Sequence, residues 1–340
     1  MTESPHILIV GSGSVGKRHA RNLIQLGCRI SCMDPRMDRC REMKDEMQTE
    51  FEYTDFKTAI SSHSFDGIVI GSPTAFHPEQ AIIAIEAGIP VLLEKPVAIT
   101  ANDAYKIQNV LLNNKTPLLL GYTWRWWPPL QQLKLLLKEG KIGSLRHVQF
   151  YMSAHLADWH PWEPYQSFFM SNKALGGGAL LDESHWIDLM IWLLGMPERI
   201  SASISKLSDL EIETDDNVDI CCFYKGMNVT IHLDLYGRPH EKFIRLVGEE
   251  GTLTWSAEPN HIAFSSQWEQ LWETEDFDYN RNDMFVSVAQ EFLNVVNGAI
   301  PQTCTLTDGL RVMDLIEAVR ESSKTGNTIN IKNKNPEDGF

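Results

Sequence analysis

The sequence predicts an α/β protein, with a parallel, doubly wound sheet first and then an α/β domain on a large, mainly antiparallel open sheet. Three observations carry this. Strand-like and helical stretches alternate from His6 to about Tyr122, as in successive βαβ units. A glycine loop, Gly11-Ser12-Gly13-Ser14-Val15-Gly16, follows the first strand directly. From about Ile200 to Phe264 the chain reads as short strands joined by tight turns at Lys225-Gly226 and Gly248-Glu249-Glu250-Gly251. A chain of 340 residues exceeds the size at which one core stops growing, so two domains are expected, 1–122 and 123–340.

His6 to Val10 is an apolar strand. In the loop behind it Gly11 permits the tight turn, Gly13 lets backbone approach a pyrophosphate, and Gly16 lets helix and strand pack closely. Ser14 and Val15 open a helix running to about Leu26, whose N-terminal N–H groups suit phosphates. The second strand, Arg29 to Met33, ends at Asp34, roughly 20 residues past the loop, where a carboxylate accepts hydrogen bonds from ribose hydroxyls. It also repels a 2′-phosphate and so favours NAD over NADP, a preference that Arg36 or Arg39 can soften. Met37 to Met47 is helical, and Asp66 to Ile70 is a third strand leading into Ser72-Pro73-Thr74-Ala75-Phe76-His77.

Pro78 to Ala87 is helical, and Gly88-Ile89-Pro90 turns the chain into Val91-Leu92-Leu93. That strand delivers Glu94-Lys95-Pro96 at its C-terminal end, the side of a parallel sheet where ligands bind. Pro96 restricts the backbone of Lys95. Ile99 to Asn113 is a helix with Thr100 as N-cap and Asp103 in its first turn, and Leu118 to Tyr122 is a further strand.

After Tyr122 the texture changes. Seven of the ten tryptophans lie between Trp124 and Trp192, and with Arg125, His160 and Tyr165 they offer apolar faces and polar tips to a polyhydroxylated ring. Arg125, Trp126, Trp162 and Tyr165 are therefore candidate substrate residues, Arg125 for a carboxylate or phosphate. Leu130 to Glu139 is an amphipathic helix and His147 to Ser153 a strand. Gly176-Gly177-Gly178 precedes a long apolar helix, Ala179 to Leu194, carrying Asp182, His185 and Asp188. Residues three apart share a helix face, so His185 has carboxylates on either side and is placed as a proton acceptor. Strands follow at Val218 to Tyr224, Asn228 to Leu235, Lys242 to Val247 and Thr252 to Ser256, then helices near 284–297 and 306–325. Helices should cover one face of this sheet and leave the other as a subunit interface. The polar tail from Lys332 is expected to fray.

The formal net charge of −15 argues against nucleic-acid and anionic-membrane partners. The six cysteines form no C-x-x-C and no zinc spacing, so no metal is expected. The first apolar run is too short for a signal peptide and none approaches a membrane span, which points to a cytoplasmic protein with reduced thiols.

The chain resembles the Gfo/Idh/MocA oxidoreductases, the relatives of glucose–fructose oxidoreductase and inositol dehydrogenase. The resemblance rests on the glycine loop with His19, Ser72-Pro73-Thr74 with His77, Glu94-Lys95-Pro96, Arg125 with Pro128, Gly176-Gly177-Gly178 with Asp182 and His185, and residues 247–252. It implies a Rossmann domain, a C-terminal substrate and oligomerisation domain, NAD or NADP, and a sugar, sugar-acid, nucleotide-sugar or cyclitol substrate. It implies that Lys95, Asp182 and His185 act together, with Gly11, Gly13, Ser14, Val15, Gly16, Asp34, Ser72, Pro73, Thr74, His77, Glu94 and Lys95 at the cofactor and a homodimer or homotetramer as the assembly. Many members separate the aspartate and histidine by four positions, whereas here they are three apart. This form resembles a branch linked to surface-sugar synthesis. Two other readings stand beside a dehydrogenase: a sugar-modifying enzyme that recycles tightly bound NAD, and a non-catalytic NAD(H)-binding regulator.

Overall fold

The computed structural model of the protein describes residues 4–159, 161–266, 268 and 271–331. His160 and the tail from Lys332 lie outside these residues. The chain forms two compact units, Met1–Trp126 with Asn280–Met313, and Trp127–Tyr279 with Asp314–Phe340. A single linear cut after Tyr122 does not anticipate the return of 280–313 to the first unit.

The first unit holds six parallel strands, β1 (His6–Val10), β2 (Arg29–Met33), β3 (Glu52–Tyr53), β4 (Gly67–Ile70), β5 (Val91–Glu94) and β6 (Leu118–Gly121), in the order β3-β2-β1-β4-β5-β6. Every residue of β1 is buried, which is why it reads as an unbroken apolar run. The helices are α1 (Ser14–Gln25), α2 (Met37–Met47), α3 (Phe56–Ser62), α4 (His77–Glu86) and α5 (Ala101–Leu112). Thr100 caps α5 by accepting a hydrogen bond from the Asp103 N–H, a cap of the kind worth about 1 kcal/mol. The sequence reading missed β3 and α3, which are too short to show periodicity, although Asp55 caps α3 through the Thr58 N–H. The helix Arg281–Val296 packs on α1. A Cβ on Gly67 would lie 2.8–2.9 Å from Val296 and Phe292, so this helix seats directly on β4.

The second unit contains α6 (Pro128–Lys138), β7 (Leu145–Ser153), α7 (Ala179–Asp182), α8 (His185–Leu194), β8 (Arg199–Ser205), β9 (Asn217–Tyr224), β10 (Met227–Asp234), β11 (Glu241–Gly248), β12 (Thr252–Ala257), β13 (Asn260–Ser265), β14 (Glu273–Asp276) and β15 (Ile329–Asn330). Its nine strands run in the order β14-β13-β12-β11-β7-β10-β9-β8-β15, and only the β7–β10 pair is parallel. Period-2 alternation sends Val148, Phe150, Val229, Ile231, Ile244 and Leu246 to a buried face, and α6, α7 and α8 pack on this sheet. On the opposite face Tyr151 stacks on His232 and on Phe243, with ring centroids 5.1 and 4.8 Å apart.

One expected element divides. The apolar stretch Ala179 to Leu194 is not one helix but α7 and α8, separated at Glu183-Ser184.

Candidate active site

The strand order of the first unit reverses between β1 and β4, and ligands bind such sheets outside the carboxyl ends at that point. Three loops leave the carboxyl ends of the adjacent strands β1, β4 and β5. Gly11, at φ +92°, lies so close to the β4 loop that a Cβ would be 2.7 Å from the Gly71 carbonyl oxygen and the Ser72 nitrogen. A Cβ on Gly16 would fall 1.8 Å from the Gly11 carbonyl oxygen. Gly13 differs: its Cβ direction is open, with nothing nearer than the Arg39 guanidinium at 3.8 Å. Gly13 is also the N-cap of α1, and no side chain caps that helix. The opening N–H groups at Ser14, Val15 and Gly16 thus suit an anion.

Asp34 ends β2 and is only 6% exposed. Its Oδ2 accepts the Ser12 N–H and its Oδ1 the Arg36 N–H, both at 2.9 Å. Each oxygen keeps a second lone pair for a ribose hydroxyl. An uncapped helix start, an open glycine and a fixed ribose acceptor together fit a dinucleotide.

The loops after β4 and β5 meet at His77, whose neutral ring can donate to one of two carbonyls. This ring is 1% exposed, with Nδ1 2.8 Å from the Pro96 carbonyl oxygen and Nε2 2.8 Å from that of Ser72. Burial holds its pKa below the ordinary histidine value. The sequence grouped His77 with the cofactor residues, but its ring nitrogens meet backbone. Ser72 donates its hydroxyl to Gln80 at 2.6 Å, and Thr74 is buried beside Pro73 in the same loop. Glu94 is buried, and the half-buried Lys95 follows at the end of β5.

In the second unit Gly178 precedes α7 at φ +109° and ψ +158°, a conformation nearly exclusive to glycine. The Asp215 carboxylate fills the space a side chain would need there. Its Oδ2 accepts the Leu180 N–H at 2.8 Å, and its backbone carbonyl accepts that of Ala179. Desolvation by burial pushes the Asp215 pKa up. The helix so anchored ends in Asp182, which is buried, and α8 begins at His185, which is half-buried. Asp188 lies one turn further, fully buried.

Two of the substrate candidates have structural partners. Arg125 is 3% exposed, donates to the Thr303 carbonyl at 3.0 Å and pairs with Asp308 at 3.2 Å. Trp126 is buried and donates its indole N–H to Glu291 at 2.9 Å. Glu291 also accepts from Thr303, so both residues brace the segment behind helix Arg281–Val296. The Arg125 Nη1 is thus held inside the unit by the Thr303 carbonyl and Asp308. Trp162 is 76% exposed, whereas Tyr165 is half-buried with its hydroxyl accepting the Glu211 N–H at 3.2 Å. Sequence reasoning missed Asp215 and Asp308, which no local motif distinguishes from solvated acids.

Comparison with known proteins agrees with this geometry. Residues 6–122 match the oxidoreductase family with an NAD-binding Rossmann fold, and residues 130–254 match the GFO/IDH/MocA C-terminal domain. The rhizopine catabolism protein MocA of Rhizobium meliloti is 24% identical over 92% of this chain and 93% of its own. The D-glucoside 3-dehydrogenase of Escherichia coli (strain K12) is 23% identical over 97% and 99%. The solved levoglucosan dehydrogenase, in complex with NADH and levoglucosan, shares the fold with a TM-score of 0.86 at 18% identity, over 97% of this chain and 100% of that one. With both halves matched and the glycine loop and strand reversal in place, the chain belongs to the GFO/IDH/MocA family of oxidoreductases with an NAD-binding Rossmann fold.

Proposed function

We propose that this protein is an NAD-dependent dehydrogenase or reductase acting on a secondary hydroxyl or ketone of a sugar, sugar acid, nucleotide sugar or cyclitol. The observation that carries the reading is the convergence in the first unit. The glycine loop, the 72–77 loop and Glu94-Lys95-Pro96 leave the carboxyl ends of three neighbouring strands, so a dinucleotide held by the first meets a lysine delivered by the third. The names of relatives support the substrate class, since glucosides, apiose and inositol appear among them.

Gly11, Gly13, Ser14, Val15 and Gly16 hold the pyrophosphate and Asp34 the ribose, with Ser72, Pro73 and Thr74 lining the next loop. NAD, when bound, supplies the hydride acceptor. Lys95 donates a hydrogen bond to the reacting oxygen and stabilises its developing negative charge. His185 takes the hydroxyl proton, and Asp182 orients the imidazole. The alcohol thus loses a hydride and a proton and becomes a ketone, and the reverse sequence reduces one. The second unit takes the substrate, with Trp162 and Tyr165 as its candidate aromatic contacts. The open face of its sheet pairs subunits into a homodimer or homotetramer in the cytoplasm.

The test is Lys95→Ala, assayed with NAD and a panel of myo-inositol, levoglucosan and D-glucosides. Turnover should fall on the order of 10²–10⁴-fold. NADH binding, read from tryptophan fluorescence, should hold. Near wild-type turnover would sink the assignment. NAD released only on denaturation, with no net reduced cofactor accumulating during turnover, would favour recycling instead.

A further inference from the structure

The carboxylate of Glu94 is held at both oxygens from inside the first unit. Its Oε1 lies 2.7 Å from His19 Nε2, and its Oε2 accepts the Lys95 backbone N–H at 3.3 Å. The tautomer with its N–H at Nε2 donates to Oε1. His19 is fully buried, and its Nδ1 has no hydrogen-bond partner. The edge of the ring meets Phe285 of helix Arg281–Val296 at 5.7 Å between centroids. With one nitrogen against an apolar surround, the ring has a single polar task.

The space for the carboxylate is built by the neighbouring strand. Glu94 pairs with Gly121 across β5 and β6, and a Cβ on Gly121 would come within 3.2–3.3 Å of the carboxyl atoms of Glu94. Any larger residue there would press on the group that holds Lys95. Arg18 lies on the same Phe285 ring, 4.6 Å from its centroid, and interacts electrostatically with Glu94. On the far side of Lys95, His77 fixes the Pro96 carbonyl. The lysine backbone is thus braced before and after.

We propose that His19 and Glu94 are positioning residues, a buried relay from α1 that fixes the backbone of Lys95 at the mouth of the sheet. Glu94, grouped with the cofactor residues on sequence, acts on the cofactor side only through the lysine next to it. The inference rests on the reading of Lys95 as the residue that meets the reacting oxygen, and its test separates the two. Four variants serve: His19→Leu removes the donor at similar volume, His19→Gln restores an N–H at about the Nε2 position, Glu94→Gln removes the charge, and Lys95→Ala is the reference.

Hydrogen–deuterium exchange of the NADH-bound protein reads the brace without a substrate. The amides of residues 93–95, 97 and 98 should exchange about tenfold faster in His19→Leu and near the wild-type rate in His19→Gln. Turnover with the myo-inositol, levoglucosan and D-glucoside panel should fall tenfold or more in kcat for His19→Leu and Glu94→Gln, with KM little changed. In the Lys95→Ala background the same substitutions should cause no further loss, because they act through that lysine. Unchanged exchange in both His19→Leu and Glu94→Gln overturns the relay, whatever Lys95 does. Full turnover in Lys95→Ala with faster exchange in His19→Leu overturns the reading of Lys95 and leaves the brace standing. Failure of His19→Gln to restore protection would show a packing role for the ring and also overturn the relay.

Discussion

Gly178→Ala tests how Asp182 and His185 are held. The native φ of +109° with ψ +158° costs a residue with a side chain about 1–3 kcal/mol. The new Cβ would point into Asp215, 2.9 Å from its Cγ. The carboxylate must swing away, and the Leu180 N–H loses an acceptor now at 2.8 Å, a further loss of about 1 kcal/mol. Together these predict about 2–4 kcal/mol of destabilisation, or a drop of roughly 1 M in the urea midpoint for an m value of about 2–3 kcal/mol/M. Urea unfolding followed by tryptophan fluorescence gives the midpoint, and turnover should fall with it because α7 ends in Asp182. Asp215→Asn isolates the acceptor. Burial raises the folded pKa of Asp215 above its unfolded value, so its contribution is greatest below about pH 4 and declines as pH rises through the folded value. The stability gap between wild type and Asp215→Asn should therefore narrow from pH 4 to pH 7. A Gly178→Ala midpoint within 0.3 M of wild type, on the order of 0.7 kcal/mol, would refute the argument.

Asp34→Ala should weaken NADH binding about 10–100-fold, since hydrogen bonds to a charged group are worth about 1.5–3 kcal/mol, and should reduce discrimination against NADPH; fluorescence titration with both dinucleotides reads the ratio. Arg125→Met strands Asp308, whose pKa is held down, burial notwithstanding, by the Arg125 charge and by hydrogen bonds from Thr305. It should cost about 3 kcal/mol with substrate KM unchanged, whereas a raised KM at full stability would return Arg125 to the substrate. The His232 pKa is raised by its hydrogen bond to Asp234, with burial opposing and Asp219 adding. Its stabilisation is complete below about pH 6.5 and lost as pH rises through the higher folded value, so His232→Asn should flatten thermal stability above pH 6.5 and change it most below.

What the sequence revealed follows the range of the forces involved. The path from β1 through the glycine loop to α1 was legible because Gly16 is demanded by the Gly11 carbonyl oxygen of its own loop. The strands of the second sheet were legible wherever one face is buried, since Val229, Ile231 and Leu233 alternate with Thr230 and His232. The return of helix Arg281–Val296 was not, because its ties to α1 include Asn282 with Asn22, 260 residues apart. The internal partners of Arg125 and Trp126 were not legible for the same reason. Among aromatics the two residues resemble a ligand site, and Asp308, Thr303 and Glu291, which they contact, lie more than 160 residues away.

The three-residue spacing of Asp182 and His185 coincides with a change of helical pitch between α7 and α8. On a regular α-helix, at 3.6 residues per turn, positions four apart differ by about 40° and positions three apart by about 60° the other way. Between α7 and α8 the chain does not keep that pitch. The Ser184 N–H reaches the Leu181 carbonyl at 3.4 Å and the Trp186 N–H the Glu183 carbonyl at 3.0 Å, both i to i−3 bonds. A turn closed that way has about three residues and eclipses positions three apart. A tightening of this kind moves positions three apart, such as 182 and 185, closer to a common edge than a regular helix would.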